Sequence, residues 1–250
     1  MELWPAESIW EQVSPLLPGF TVEVLPEIGS SNTELMRRAR AGQSEPTLLV
    51  AERQTAGRGR LGRPWQSAPG DSLTFSLGLP FAPRDWSGLS LAVGLSLAES
   101  LHPEIGLKWP NDLWWQDRKL AGILIEAATA GGRSQVVVGI GINIRPRPAE
   151  GLSTPPAALA EFWPEASAGA ALLRLMPKLV RTLQDFEQHG FAPLQARFEV
   201  RDALRGREVC TSDGLCGQAL GVGPTGALRL LQDGGECLVD SSEVSVRPRH

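Results

Sequence analysis

From Ser72 to Ile144 the chain writes one strand signal after another, and most of the interruptions are turns rather than helices. Ser72 to Leu79 alternates throughout, with Leu73, Phe75, Leu77 and Leu79 on one side and small residues on the other, the period of a strand with one buried face. Gly106 to Trp115, Leu120 to Glu126 and Gln135 to Ile144 read as three further strands, and residues 85 to 101 as an amphipathic helix. A parallel, doubly wound sheet needs a crossover after every strand. Strands that return on hairpin signals give a mixed sheet instead, so the fold class read here is α+β. Upstream, residues 21 to 28 (TVEVLPEI) and Thr47 to Glu52 add two strands, and Ser31-Asn32-Thr33-Glu34 has the spacing of a capping box opening a helix to about Arg40. Downstream, Leu172, Leu175, Met176, Leu179, Leu183 and Phe186 fall at helical spacing, with Pro177 marking a kink or a late start. From about residue 203 the character changes to short β runs (REVC, GQALGV, ALRLLQ, ECLVD, EVSVRP) between Gly and Asp turns, a small β-barrel-like unit. The expected organisation is therefore a larger unit over residues 1–200 and a small β unit over 201–250.

Composition removes several function classes. A formal net charge of −4 lacks the clustered cationic excess of a general nucleic-acid binder. The three histidines, His102, His189 and His250, are far apart in sequence, which leaves little for a Ser-His-Asp triad or a histidine metal cluster. Cys210, Cys216 and Cys237 are odd in number and read as free intracellular thiols rather than a disulfide frame or zinc site. Pro5, Pro15 and Pro18 break an acidic N-terminal stretch that has no basic flank or apolar run, and no segment approaches a membrane span, so a cytoplasmic location is expected.

Four segments carry chemistry. In Gln54-Thr55-Ala56-Gly57-Arg58-Gly59-Arg60-Leu61-Gly62-Arg63-Pro64-Trp65 the glycines allow close backbone approach to a ligand, and Arg58, Arg60 and Arg63 supply planar donors for carboxylate and phosphate oxygens. A Gly/Arg run alone serves a solvated loop equally well; Trp65 at its end, between two strands, favours an ordered pocket. Lys108-Trp109-Pro110-Asn111-Asp112 precedes Arg118-Lys119-Leu120-Ala121-Gly122. Of 24 basic residues only Lys108, Lys119 and Lys178 are lysines, so two of the three stand in this region, where a compact point charge is wanted rather than a guanidinium fork. Against this, Lys108 as a surface charge and Asn111-Asp112 as a plain turn are the ordinary readings. Trp109, Trp114 and Trp115 suit either a core or the wall of an apolar pocket. In Val136 to Asn143, Gly139, Gly141 and Asn143 share one strand face, leaving room for a flat ligand and an amide for an adenine edge. Ser30-Ser31-Asn32 caps a helix and aims donors ahead of it.

In this order, GSSN, ERQTAGRGRLGRPW, KWPNDL, RKLAGILIE and VVVGIGIN strongly resemble the catalytic domain of biotin protein ligases, from about Gly29 to Ile144, with weaker similarity through the helix before Gly190 and the small β unit. The resemblance implies a catalytic domain of the class II aminoacyl-tRNA synthetase and biotin ligase type with a C-terminal SH3-like barrel. It implies biotin and ATP as substrates, Mg2+ riding on the ATP, and transfer of biotin through biotinyl-5′-AMP to a lysine of a biotin carboxyl carrier domain. It assigns Ser30, Ser31, Asn32 and Gln54 to the ureido end of biotin, and Gly57, Arg58, Gly59 and Arg60 to a loop closing over the biotin carboxylate and the phosphates. Lys119 is assigned to the activated carboxylate and α-phosphate, Gly122 to the biotin pocket, Arg63, Trp65 and Asn143 to the nucleotide, and Asp112 to the reacting centre or the incoming lysine. Metal ligands are unknown.

Regulatory members of that family carry an N-terminal winged helix-turn-helix, and fewer than thirty residues precede Gly29, so the short, non-repressor class without specific DNA binding is expected. Ser241-Ser242-Glu243-Val244-Ser245 departs from the pattern, which usually has a glycine before the glutamate. A homodimer is left open. The competing readings are a lipoate- or octanoate-type ligase, which shares the catalytic fold, and a non-catalytic biotin sensor.

Overall fold

The computed structural model describes residues 4–149, 154–240 and 245–248; the Ser241 to Val244 departure lies outside them. The N-terminal stretch that the prolines were expected to break holds a helix, α1 (Ala6–Val13), with Ile9 and Val13 buried. Then come β1 (Thr21–Ile28), α2 (Ser31–Arg40), β2 (Thr47–Gln54), β3 (Ser72–Pro80) and α3 (Leu89–Leu101). β4 (Gly106–Lys108), β5 (Asp112–Trp115), β6 (Arg118–Ala130), β7 (Arg133–Asn143), α4 (Ala168–His189) and α5 (Gln195–Glu199) complete the larger part. β8 (Glu208–Thr211), β9 (Cys216–Val222), β10 (Leu228–Gln232), β11 (Gly235–Val239) and β12 (Val246–Pro248) form the smaller one.

Seven strands make one mixed sheet in the order β1-β2-β3-β7-β6-β5-β4, parallel only between β1 and β2, and the last five make an antiparallel sheet in the order β11-β10-β9-β8-β12. The α+β class read from the hairpin signals holds. α3 and α4 pack on one face of the large sheet and α2 on the other, where Leu35 and Met36 meet Leu49 and Val137. No helix among the described residues is long and apolar enough to cross a membrane.

Several expectations are corrected. β3 is buried on both faces: Leu73, Phe75, Leu77 and Leu79 enter the main core, while the small side of Thr74, Ser76 and Gly78 is covered by α2 and a cleft. α3 begins at Leu89 rather than 85 and is not amphipathic, because it lies between sheet and α4 and buries nearly its whole circumference. The expected strand 106–115 is a hairpin, β4 and β5, turning at Trp109-Pro110-Asn111 through a cis Trp109–Pro110 peptide. The cap of α2 is Ser30, whose hydroxyl accepts from the Thr33 N–H, one residue earlier than the capping-box spacing suggests. α4 starts at Ala168, capped by Ser167, and runs through Pro177. Cys210 and Cys216 are not free thiols: they face each other across the β8–β9 ladder with Cα atoms 4.1 Å apart and form a disulfide, leaving Cys237 free.

The small sheet is tied to the large one near the KWPND turn. Trp109, fully buried, donates its indole N–H to the Gly226 carbonyl at 3.0 Å, and the Leu107 N–H reaches the Arg201 carbonyl at 2.7 Å. Trp109, Trp114 and Trp115 are therefore core residues, and none of them lines the cleft.

Candidate active site

The cleft lies on the α2 side of the sheet and has a volume of about 810 Å³ including its open mouth. Its floor exists because β3, β6 and β7 put small residues there: Thr74, Ser76, Gly122, Gly139 and Gly141. Side chains at the last two positions are excluded. A Cβ on Gly139 would lie 2.1 Å from Asn32 Oδ1, and one on Gly141 would lie 2.3 Å from the Trp65 ring. The room left by these glycines is thus taken by Asn32 and Trp65 rather than directly by a flat ligand.

One end is a buried hydrogen-bonding cluster. Ser31, the first residue of α2, donates its N–H to Gln54 Oε1 at 2.7 Å, and its hydroxyl lies 3.0 Å from that same oxygen and 2.8 Å from the Ser76 hydroxyl. Ser76 donates to Asn32 Oδ1 at 2.6 Å, and Asn32 Nδ2 donates to Glu126 Oε2 at 2.9 Å and the Leu124 carbonyl at 3.3 Å. Gln54 is held in turn, its N–H donating to Ser67 Oγ at 2.8 Å.

The other end is cationic. The Gly/Arg loop folds back on itself: the Gly59 N–H donates to the Arg63 carbonyl at 2.7 Å and the Trp65 N–H to the Gly57 carbonyl at 2.9 Å, with a 3-10 turn at Arg60–Gly62 between. Leu61 at the apex has φ +56° and is exposed; of the arginines that flank it, Arg60 is half-buried and Arg63 exposed, and both line the cleft. Arg58, half exposed, donates to Thr33 Oγ1 at 2.9 Å and lies 3.8 Å from Glu126 Oε1. Arg63 donates to Ser245 Oγ at 3.3 Å, so the small sheet contributes to the cleft wall. Burial lowers the pKa of Arg60, an effect that Asp112 opposes.

Lys119 Nζ pairs with Asp112 Oδ1 at 2.7 Å over Gly122, whose absent side chain makes the space. In a regular strand Lys119 and Gly122, three residues apart, project from opposite faces. The register shift between Leu113 and Trp114, opposite Leu120, brings the Lys119 ammonium round to the Gly122 side. Lys108, only 8 % exposed, enters the same cleft with its ammonium 5.9 Å from the Trp114 ring centroid. Burial pushes its pKa from 10.5 down to about 8, with Lys119, Arg63 and Arg60 adding to the fall and Asp112 opposing it. It is not the surface charge that a lysine ordinarily is.

The cleft therefore gathers Ser30, Ser31, Asn32, Gln54, Arg58, Gly59, Arg60, Arg63, Trp65, Asp112, Lys119 and Gly122 from the sequence-derived set. Two members fall outside it. Gly57 lies at the loop base, where a Cβ would meet the Trp65 carbonyl at 2.5 Å. Asn143 is buried, its amide donating to the Lys119 and Ala157 carbonyls, so it braces the strand that carries Lys119 instead of offering those donors to an adenine edge. Sequence reasoning missed Ser76, Thr74, Glu126 and Ser245. The signal for the first two was present, since a strand whose polar face is entirely small needs something to fill the space above it.

The segments that build this cleft are shared with known proteins. Residues 25–143 match the model of the biotin/lipoate A/B protein ligase family. The Bifunctional ligase/repressor BirA of Escherichia coli K12 is 38 % identical over 240 residues, covering 90 % of this chain and 73 % of that protein. The Biotin--[acetyl-CoA-carboxylase] ligase of Paracoccus denitrificans is 30 % identical over 240 residues, covering 88 % and 98 % respectively. Among solved structures, the biotin protein ligase from Aquifex aeolicus in complex with biotin and ATP superposes with a TM-score of 0.78 at 30 % identity, covering 91 % of this chain and 99 % of that one.

Proposed function

This chain belongs to the biotin/lipoate A/B protein ligase family, on its biotin protein ligase side, and from that premise we propose that it joins biotin to ATP as biotinyl-5′-AMP and passes biotin to a carrier-domain lysine. The observation that carries the reading is the two-ended cleft, with an amide and hydroxyl cluster at one end and, at the other, Arg60, Arg63, Lys108 and Lys119 gathered near Asp112, with Arg58 beside Glu126 between them. Ser31, Asn32, Gln54 and Ser76 match the donors and acceptors of a cyclic urea. These groups already pair with one another, and an apolar dithiolane or alkyl chain would shut water out while offering nothing to their remaining hydrogen-bonding capacity, which sets biotin above lipoate or octanoate.

In the proposed reaction a biotin carboxylate oxygen attacks the α-phosphorus of ATP, the P–O bond to the β-phosphate breaks, and pyrophosphate leaves. Arg58, Arg60, Arg63 and Lys119 supply positive charge where phosphoryl oxygens gain it, and Lys108 adds a buried ammonium that an incoming anion would stabilise. In the second step the neutral acceptor amine attacks the anhydride carbonyl, the C–O bond to the phosphate breaks, AMP leaves, and the proton lost by the nitrogen passes by way of the Asp112 carboxylate to water. Asp112 both holds Lys119 and offers the carboxylate toward which a substrate ammonium would be drawn. The Trp65 ring, over Gly141 and 5.5 Å from the Arg147 guanidinium, offers a face to the nucleotide. Magnesium would enter with the triphosphate, its charge bound to phosphate oxygens that Arg58, Arg60, Arg63 and Lys119 also face.

The test is transfer. With ATP, biotin and an intact biotin carboxyl carrier domain, the protein should add one biotinyl group to one lysine, seen by mass spectrometry, and none to the Lys→Arg carrier. Labelling of the carrier by lipoate as readily as by biotin would contradict the reading.

A further inference from the structure

Glu126 has no place in the reaction above, yet it stands at the junction of both ends of the cleft. One carboxylate oxygen accepts from Asn32 Nδ2 at 2.9 Å, and the other lies 3.8 Å from Arg58 Nη2. Asn32 is 4 % exposed, rests on Gly139 and lines the cleft, whereas Glu126 lies outside the lining, with its side chain 27 % exposed. A carboxamide placed this way has two orientations of the same shape, one presenting oxygen and the other NH2 to the Ser76 side. Ser76 cannot choose between them, because a hydroxyl donates or accepts as required. The Leu124 carbonyl, at 3.3 Å, biases the choice weakly. Glu126 is the short contact that can only accept, and it draws Nδ2 outward.

We propose that Glu126 is a specificity-determining positioning residue: by accepting from Asn32 Nδ2 it turns Asn32 Oδ1 into the cleft as an acceptor for one ring N–H of the ligand. This rests on the biotin reading, in which that N–H belongs to the cyclic urea. Oδ1 takes one hydrogen bond from Ser76 and has a second acceptor direction for the ligand. A ring oxygen in place of that N–H would set lone pair against lone pair, so the wild-type cleft rejects it.

The test uses the whole protein, isothermal titration calorimetry without nucleotide, and three ligands: biotin and the two cyclic carbamates in which one or the other ureido N–H is replaced by oxygen. The wild type should bind biotin at least about thirtyfold more tightly than the worse carbamate, within the range expected when a buried acceptor meets an analogue that cannot donate to it. In Glu126→Gln the shape is kept, but the new amide pairs with either orientation of Asn32, and the ratio should fall below about fivefold. The double variant Asn32→Asp with Glu126→Gln, where position 32 again only accepts and the amide introduced at position 126 donates to it, should restore the ratio. Should Glu126→Gln fail to fold, Glu126→Ala frees the carboxamide equally and the same outcomes apply. A variant that weakens all three ligands alike, with the ratio unchanged, would show a merely structural role and overturn the proposal, as would a wild type without preference. Failure of the wild type to bind biotin at all would instead sink the biotin reading on which the proposal stands.

Discussion

Replacing Lys108 by Met should make the unliganded protein more stable while damaging its work. Lys108 is 8 % exposed, and burial lowers its pKa from 10.5 to about 8. A fall of that size corresponds to about 3 kcal/mol against holding the ammonium in the folded chain. Where both folded and unfolded states carry the proton, below about pH 8, the full penalty applies. Between about 8 and 10.5 the unfolded chain binds the proton and the folded chain does not, so the wild type gains stability as pH rises through that window. Met keeps most of the aliphatic stem and loses the charge, along with the contact to Trp114. The expected gain for Lys108→Met is therefore about 1–3 kcal/mol at pH 7, shrinking towards zero by pH 10.5. Urea unfolding at pH 7 and pH 10 measures it, with biotin-dependent adenylation alongside. A variant less stable than wild type at pH 7, or a gain unchanged at pH 10, would show that the ammonium is not held at a net cost that Asp112 leaves uncompensated.

Four further outcomes are expected. Gly141→Ala puts a methyl 2.3 Å from the Trp65 ring and should expel it, weakening ATP binding by about tenfold or more and lowering stability by about 1–3 kcal/mol; unaltered ATP affinity would remove Trp65 from the nucleotide site. Lys119→Arg keeps the charge but brings a planar head beside Gly122 and Asp112, and single-turnover adenylation should fall more than about tenfold; a rate within about twofold of wild type would contradict contact with the reacting groups. Arg58→Ala removes a half-exposed side chain, so stability should change by no more than about 0.5 kcal/mol while adenylate is formed slowly and lost to solvent; parallel losses of stability and activity would argue otherwise. Cys216→Ser opens the short loop closed by the Cys210 disulfide and should lower stability by about 2 kcal/mol, a loss that dithiothreitol reproduces in the wild type and not in the variant.

The strands of the large sheet and the helix after Gly29 were legible because periodicity, caps and turn residues act locally. What was not legible depends on partners distant in sequence. The polar face of β3 looked solvent-facing until α2 covered it, and α3 looked amphipathic until α4 closed over its other side. Asn143 read as a ligand amide because its strand neighbours are glycines; only the fold shows that carbonyls of Lys119 and Ala157 claim its protons. Lys108 is the opposite case, a residue that composition singled out and the ordinary surface reading demoted, and that the fold buries among Asp112, Lys119, Arg60 and Arg63. The register shift at Leu113/Trp114 that turns Lys119 towards Gly122 leaves no mark in the sequence at all.

If one cleft activates biotin as an adenylate, and neither lipoate nor octanoate, labelled pyrophosphate should exchange into ATP with the acid as the deciding variable. Exchange should require biotin, should be absent with lipoate or octanoate, and should need no carrier protein. Exchange without an acid, exchange equally supported by lipoate, or none with biotin present would contradict the account.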